Sequence, residues 1–325
     1  MTLPRRRFLQ LAGGIVSAPA VIQGAFAQAY PARPVRFVVP FTPGGTTDTI
    51  ARILAQYLSE HLGQQVVIEN RPGGGTNIAV QYVVKSAPDG YTLLMTLTTN
   101  VINPSLYKSL PFDFQRDITP VSGLAELPLV LVVNPDLPTK NVAEFVAYAR
   151  ANPDKITFAS FGARTISHLS IELIKSATGI SVVHVPYPGG PPMLTDVITN
   201  RVQAAIDALP NSLPHIRSGS VRCLAVLTKA RTPLLPDVPA ISETLAGIEV
   251  GGGTGICVPS GTPAEIIARL NRDINASLTN PALKARYADI GATPLILTPA
   301  EASARIASEI PKWQKVVEQA GLRPE

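Results

Sequence analysis

The chain predicts an α/β protein of two lobes around a ligand cleft. Three observations predict it. Short β-branched runs alternate with helix-patterned segments almost from end to end, and βαβαβ order implies a parallel sheet covered by helices. Strands run through glycine-rich loops straight into helix starts, near the N-terminus and again in the middle. The chain has 325 residues, 46% of them hydrophobic and 16% charged, which suffices for a buried core and suggests two domains.

The elements follow in order. Val35–Val39 reads as a strand closed by Pro40, and the glycine loop Pro43-Gly44-Gly45-Thr46-Thr47-Asp48 follows it. Thr47–Leu62 reads as a helix because Ile50, Ile53, Leu54, Tyr57 and Leu58 recur at helical spacing. Strand Val66–Glu69 leads into a second glycine loop, Asn70–Asn77, and helix Asn77–Lys85. Ala87-Pro88-Asp89-Gly90 makes a turn into strand Thr92–Thr96. Leu129–Val133 is a buried strand closed by Asn134-Pro135-Asp136, with helix Val142–Ala151 next. Strand Ile156–Ala159, helix Ser167–Thr178, strand Val182–Pro186, helix Pro192–Thr199 and strand Ala204–Ala208 form a second alternating run. Val221–Thr228 and Gly255–Pro259 read as further strands. Helices Pro263–Leu278, Pro281–Ile290 and Pro299–Ala320 close the chain, each opened by Pro at the helix start. We place the crossings between lobes near Val133 and Leu224. Lobe 1 is then residues 30–133 plus 224–325, and lobe 2 is residues 134–223.

Residues 1–29 read as an export signal. Arg5-Arg6-Arg7-Phe8-Leu9 precedes a weakly apolar stretch, Leu11–Ile22, and small-residue cleavage sites at Ala25–Ala27 and Ala27–Ala29. The twin arginine before Phe-Leu points to a Tat-like route, with a Sec signal or an uncleaved anchor as alternatives. The mature protein is expected to be periplasmic and soluble. Three of the 28 basic residues lie in that segment, so the formal net charge of +5 falls to about +2 without it. With no Lys/Arg-rich patch and one Trp, nucleic-acid binding is a poor reading. Cys223 and Cys257 sit in apolar runs and read as buried small hydrophobes; an oxidising compartment permits a disulfide but does not require one. No metal-ligand spacing is present, and no cofactor is expected.

The candidate chemistry lies at the strand-to-helix loops. A strand that runs through glycines into a helix start leaves unpaired N–H groups facing one point, which suits an anion. Pro43, Gly44, Gly45, Thr46, Thr47 and Asp48 form the first such loop, although Asp48 also reads as an ordinary first-turn acid. Gly75 and Thr76 in the second glycine loop, and Thr98 just past a strand, are further candidates. In the middle of the chain, Ser160 and Thr165 offer hydroxyls, Gly162 and Ala163 allow close approach, and Arg164 offers a bidentate cation or is a solvated loop arginine. Tyr187 stacks on a ligand or packs at the cleft edge. Asp207, ending a strand, holds a ligand donor or serves a local turn. The four histidines and Ser160 form no recognised catalytic motif, so an enzyme, such as a secreted hydrolase, is a poor reading.

Several segments together carry a specific resemblance over the whole mature chain. They are PVRFVVPFTPGGTTDTIAR at Pro34–Arg52, VVIENRPGGGTNIA at Val66–Ala79, APDGYTLL at Ala87–Leu94 and the segment around His168-Leu169. VPYPGG at Val185–Gly190, LPNSLPHIRSG at Leu209–Gly219, DVPAISE at Asp237–Glu243 and VPSGTP at Val258–Pro263 extend it. The chain resembles the Bug (TctC-like) extracytoplasmic solute receptors of tripartite tricarboxylate transporters. The resemblance implies a type II periplasmic-binding-protein fold. It also implies a small organic carboxylate held by two opposing loops, here Pro43–Asp48 and Ser160–Thr165, and docking on membrane subunits of a transporter. A receptor feeding a membrane sensor is the alternative, and a monomer is the default. Two departures stand out: Arg164 where the family's loop has a small residue, and Gly251-Gly252-Gly253 where aromatic residues often occur, which opens one wall.

Overall fold

A computed structural model describes residues 30–322 and 324. The expected export signal, residues 1–29, lies outside the described residues. Ten strands form one curled sheet. They are β1 (Val35–Val39), β2 (Val66–Asn70), β3 (Thr92–Leu97), β4 (Ile118–Val133), β5 (Thr157–Ser160), β6 (Val183–Pro186), β7 (Ala204–Ala208), β8 (Arg222–Val226), β9 (Gly251–Pro259) and β10 (Thr293–Pro294). The main path runs β2-β1-β3-β9-β4-β7-β5-β6, with β8 and β10 also pairing with β4.

The parallel sheet expected from the alternation is present in two patches. β2-β1-β3 are parallel at one end and β7-β5-β6 at the other. The middle is antiparallel: β9 runs against β3 and β4, and β4 runs against β7 and β8. The sheet is therefore mixed rather than wholly parallel, because β4 and β9 each cross the centre as long return strands. β4 is the spine. Its first part, through Pro128, pairs with β9, and Leu129–Val133 pairs with β7 and β8. The return passes through the residues between β8 and β9.

Eleven α-helices of the described residues cover the sheet. They are α1 (Thr46–Leu62), α2 (Asn77–Val84), α3 (Thr98–Leu106), α4 (Phe114–Asp117), α5 (Val142–Ala151), α6 (Ile166–Thr178), α7 (Gly190–Ile198), α8 (Leu209–Arg217), α9 (Ala264–Thr279), α10 (Pro281–Asp289) and α11 (Pro299–Gln319). Strand alternation divides the core between the two faces of the sheet. On β1, Val35, Phe37 and Val39 pack with Ile50, Leu54 and Leu58 of α1 and with Leu270 and Tyr287, while Val38 joins the opposite cluster. That opposite cluster continues through Val130, Leu131 and Val132 into Phe145, Phe158 and Ile206, so one apolar body spans both ends of the sheet. No helix among the described residues is long and apolar enough to cross a membrane.

Candidate functional site

The site is built from helix starts. β1 ends in the loop that leads into α1, whose cap, Gly45, carries no side-chain cap. β5 leads into α6, capped by Thr165 without a side-chain hydrogen bond, and β7 leads into α8, where Ala208 offers no capping side chain. α7 begins at Gly190 after Gly189, again uncapped. A helix start leaves several backbone N–H groups without intrahelical partners and carries a partial positive charge. Placing four such starts at the ends of strands from both patches of the sheet aims that charge into the space between them.

That space is a cavity of about 60 Å³. Gly45, Thr46 and Thr47 line it from α1, Leu97 and Thr98 from the start of α3, Ile166 from α6, Gly190 from α7, and Asp207, Ala208 and Asn211 from α8. Phe41, Leu127, Leu129 and Phe161 add apolar walls, and Gly252, Gly253 and Thr254 of β9 close one side. A water needs roughly 10–15 Å³ of such space, so a few waters or a small organic group fit. Among the described residues no Lys or Arg lines it. Two hydroxyls on its wall, Thr42 Oγ1 and Thr46 Oγ1, are buried with no hydrogen-bond partner. A buried polar atom left unpaired costs about 1–3 kcal/mol, and both are satisfied by an occupant that accepts hydrogen bonds.

Contacts cross the cavity. The Ile166 N–H of α6 donates to Thr99 Oγ1 of α3 at 3.3 Å. Phe41 and Phe161 meet edge to face with centroids 5.7 Å apart. At Gly190 the backbone approaches closely: a Cβ there would lie 2.4 Å from Asn211 Nδ2 and 3.0 Å from Asp207 Oδ1, so only glycine fits without moving Asn211.

Asp207 is the ionisable group in the wall. It is 1% exposed, and its Oδ2 accepts from Ser212 Oγ at 2.7 Å and Asn211 Nδ2 at 2.9 Å. Burial pushes its carboxyl up to about 6; the hydrogen bonds from Ser212, Asn211 and the Ala208 N–H pull it down but do not win. The carboxyl therefore changes charge just below neutral pH.

The remaining sequence candidates fall around this cavity rather than on it. Of the first loop, Pro43, Gly44 and Asp48 stand behind the wall. Asp48 is 3% exposed and accepts from the Gly44 N–H at 2.9 Å, Arg52 Nε at 2.8 Å and Asn70 Nδ2 at 3.0 Å. Burial pushes its carboxyl up, but those three hydrogen bonds hold it below the usual range. Asp48 thus fastens the loop. Thr76 accepts from Asn100 Nδ2 at 2.8 Å and the Gly75 carbonyl accepts from Asn103 Nδ2 at 2.9 Å, which ties the second glycine loop to α3. Ser160 is fully buried, donating to the Gly162 carbonyl at 3.0 Å and sharing a hydrogen bond with His184 Nε2 at 2.7 Å. Thr165 Oγ1 donates to the same carbonyl at 2.7 Å, so both hydroxyls brace the loop from within. Ala163 is exposed on this loop. Arg164 does not line the cavity, and its guanidinium sits 4.7 Å from the Tyr107 ring centroid. Tyr187 donates to Asp196 Oδ2 at 2.7 Å.

His184 also stacks on His168, with centroids 3.9 Å apart and planes 6° apart. Burial, and the charge His168 would carry, push His184 down to about 4. The pair is a brace beneath the loop, and Ser160 is too enclosed to attack a substrate. Cys223 and Cys257 are both free thiols, and burial pushes each up to about 12. Among the described residues no cluster of three His, Cys, Asp or Glu is arranged to hold a metal.

Sequence reasoning did not single out Phe41, Thr42, Phe161, Ile166, Gly190 or Asn211. Most sit within one or two residues of the loops that it did mark, and Asn211 lies in the quoted LPNS segment. The usable signal was the helix start itself, counted from the glycine or proline inward.

Known proteins similar to this one in sequence and architecture give the site its context. The sequence model of the tripartite tricarboxylate transporter family receptor matches residues 50–322. BugT of Bordetella pertussis is 38% identical over 320 residues, 98% of each chain. An R. palustris protein solved with adipate superposes with a TM-score of 0.88 at 39% identity, covering 91% of this chain and 100% of that one. The periplasmic binding protein BugD superposes with a TM-score of 0.88 at 33% identity, covering 91% of this chain and 100% of that one. MatC of Rhodopseudomonas palustris, solved with bound malate, gives 0.84 at 32%, covering 89% of this chain and 100% of that one. Sequence motifs, fold and relatives agree, and the chain belongs to the TctC, or Bug, family of periplasmic solute receptors.

Proposed function

We propose that this protein captures a small organic carboxylate in the cavity between β1–α1, β5–α6 and β7–α8 and presents it to the membrane subunits of a tripartite tricarboxylate transporter. One observation carries the reading. Uncapped helix starts from both ends of the sheet converge, with two unpartnered threonine hydroxyls, on a cavity that no Lys or Arg of the described residues lines. Such a site favours an acceptor-rich anion and holds it by backbone N–H groups and hydroxyls. The adipate and malate bound by relatives are carboxylates of this kind.

The apolar walls Phe41, Leu127, Leu129 and Phe161 would exclude water from the carboxylate and strengthen those hydrogen bonds. Asp207 then selects. Beside a bound carboxylate its own charge is disfavoured further, so it either stays protonated and donates to the ligand or pairs with a ligand ammonium or hydroxyl. We assign residues 1–29 as a Tat-like signal that delivers the chain to the periplasm, and residues 134–223 as the lobe that moves. β4 changes partners at Pro128–Leu129, from β9 to β7 and β8, so we place the hinge there and in the segment between β8 and β9, with Leu129–Val133 and β8 moving together with residues 134–223.

The test is calorimetric titration of the protein, stripped of co-purified ligand by unfolding and refolding, with acids from acetate to tricarboxylates. One-to-one binding of a carboxylate, lost on amidation of that carboxylate, supports the reading. No heat with any acid rejects it.

A further inference from the structure

Asp207 is an acid in the wall of an anion site. It lies in β7 at the cavity, 1% exposed. Its Oδ2 accepts from Ser212 Oγ at 2.7 Å and from Asn211 Nδ2 at 2.9 Å, which fills the two lone-pair sites of that oxygen. The Ala208 N–H also bonds the carboxyl, so of its four acceptor sites one on Oδ1 remains. A proton can add only there. Oδ1 lies against Gly190: a Cβ at that residue would stand 3.0 Å from it, and Gly190 lines the cavity. The oxygen that can take a proton is therefore the one beside the cavity's own lining.

No counter-charge shares that wall. The elements packed against β7 carry His168, Glu172 and Lys175 on α6, Asp196 on α7, His215 and Arg217 in the last turn of α8 and Glu126 on β4, and none of these lines the cavity. Asp48 of α1 is tied behind the wall to Arg52 and Asn70, and His184 of β6 is bonded to Ser160. What faces Asp207 across the cavity is a set of uncapped helix starts and threonine hydroxyls. A ligand carboxylate confined with Asp207 to about 60 Å³, with no cation between them, cannot stay charged beside a charged Asp207; two carboxyl groups in one dry site hold a single proton between them. A ligand ammonium is the other way to balance Asp207. It would bring up to three donors against helix starts that are themselves donors and carry partial positive charge.

We propose that the ligand carboxylate and Asp207 share one proton, carried on Asp207 Oδ1, so that binding takes up a proton from solvent and selects acids without an amine. This rests on the carboxylate reading of the cavity and adds the class of acid and its linkage to pH. The new contact is a hydrogen bond from Oδ1–H to a ligand oxygen; the proton comes from water or buffer, and no covalent bond of the ligand changes. Burial pushes the Asp207 carboxyl up to about 6, so in the ligand-free protein it is mostly ionised at pH 7.5 and gains its proton as the acid enters. Affinity is then lowered by the fraction of protein that lacks the proton. It rises as pH falls from 8 towards 6 and levels off below.

The experiment is calorimetry at pH 7.5 in phosphate and in Tris, whose ionisation enthalpies differ, so that the difference in heat counts protons. The probes are unbranched mono- and diacids of two to six carbons and the α-amino acids of the same skeletons. Wild type is expected to take up about one proton per acid bound, and to bind about fifty-fold more tightly at pH 6 than at pH 8. It should prefer each acid over its amino derivative by about tenfold or more. Asp207→Asn donates from an amide that does not titrate, so the folded variant should take up about no proton and lose the pH dependence. Infrared difference spectra of wild type carrying carbon-13-labelled aspartate, with and without the acid, should show a neutral aspartic carboxyl in the complex at pH 7.5, which decides the point even where the variant does not fold. Wild type that binds an acid with no proton uptake, uptake that survives in a folded Asp207→Asn, a complex with no neutral aspartic carboxyl, or an amino acid held more tightly than its parent acid overturns this inference and leaves the carboxylate reading standing. Wild type that binds no acid overturns both.

Discussion

Asp207→Asn is expected to make the ligand-free protein more stable at neutral pH, and the size of the effect follows from its surroundings. Asp207 is 1% exposed, and burial raises its carboxyl from 3.8 to about 6. The folded state therefore holds the proton more tightly than the unfolded chain does. Stability from this group is fully present below pH 4 and is lost as pH rises through about 6. A shift of about two units corresponds to about 3 kcal/mol at pH 7 and above. Asparagine keeps an acceptor for Ser212 and removes the charge, so the variant should gain about 2–3 kcal/mol at pH 7.5. For a chain of this length that is roughly 3–5 °C in melting temperature. At pH 4 the gain should vanish, because the wild-type carboxyl is then mostly protonated in the fold. The assay is urea unfolding of stripped protein, wild type against variant, from pH 4 to 8. His184 pulls the other way over a similar window, and taking the difference between the two proteins removes its contribution as long as the sites act independently. A difference that stays constant across pH, or a variant less stable at pH 7.5 than at pH 4 relative to wild type, would refute the reasoning.

Four further outcomes are expected. Gly190→Ala places a Cβ 2.4 Å from Asn211 Nδ2, so Asn211 must move; affinity for the carboxylate should fall at least tenfold by calorimetry, with about 1–3 kcal/mol lost in unfolding. Thr99→Val removes the acceptor of the Ile166 N–H; a bond worth about 1 kcal/mol predicts a loss of about fivefold in affinity and a larger radius of gyration by X-ray scattering without ligand. Arg164→Gly suits the local backbone, whose φ is 60°, and deletes the stack on Tyr107 together with the side chain's other contacts; affinity should fall less than about fivefold, and a hundredfold loss would mean that Arg164 reaches the ligand. His184, held down at about 4, contributes stability present above pH 6.5 and lost as pH falls towards 4, so His184→Gln should flatten the acid limb of the melting curve.

Much of the fold was legible in the sequence because its strands and helices carry their own periodicity. Val35–Val39, Val142–Ala151 and Ala204–Ala208 fall where the pattern places them. α3 and α8 were not legible. Their sequences, TTNVINPSL and LPNSLPHIR, hold β-branched, Asn and Pro residues that disfavour helix, and tertiary contacts override that preference. In α3, Asn100 and Asn103 are fastened to Thr76, Gly75 and Asn77. Only the last residues of β4 read as strand, since Pro120, Gly123 and Pro128 interrupt the rest; the structure absorbs them at register shifts between Pro120 and Ser122 and between Gly123 and Ala125. For the site, the glycine loops led to the strand-to-helix junctions around the cavity, and of the residues read from the sequence Gly45, Thr46, Thr47, Thr98 and Asp207 line it. A helix start shows in sequence as a cap and a glycine, whereas which hydroxyl faces inward depends on the turn. Thus Ser160 and Thr165 brace their loop from within, and Thr42, two residues before Gly44, lines the cavity.

The measurement closest to the central claim is titration of Thr46→Val, alongside wild type, with whichever carboxylate wild type binds. Thr46 Oγ1 is buried on the cavity wall with no partner of its own, so a ligand oxygen is the partner the account gives it. Valine keeps the shape and removes the donor. The account predicts a folded variant, equal or higher in melting temperature without ligand, whose affinity falls about tenfold or more. A variant that binds the acid as tightly as wild type would contradict it.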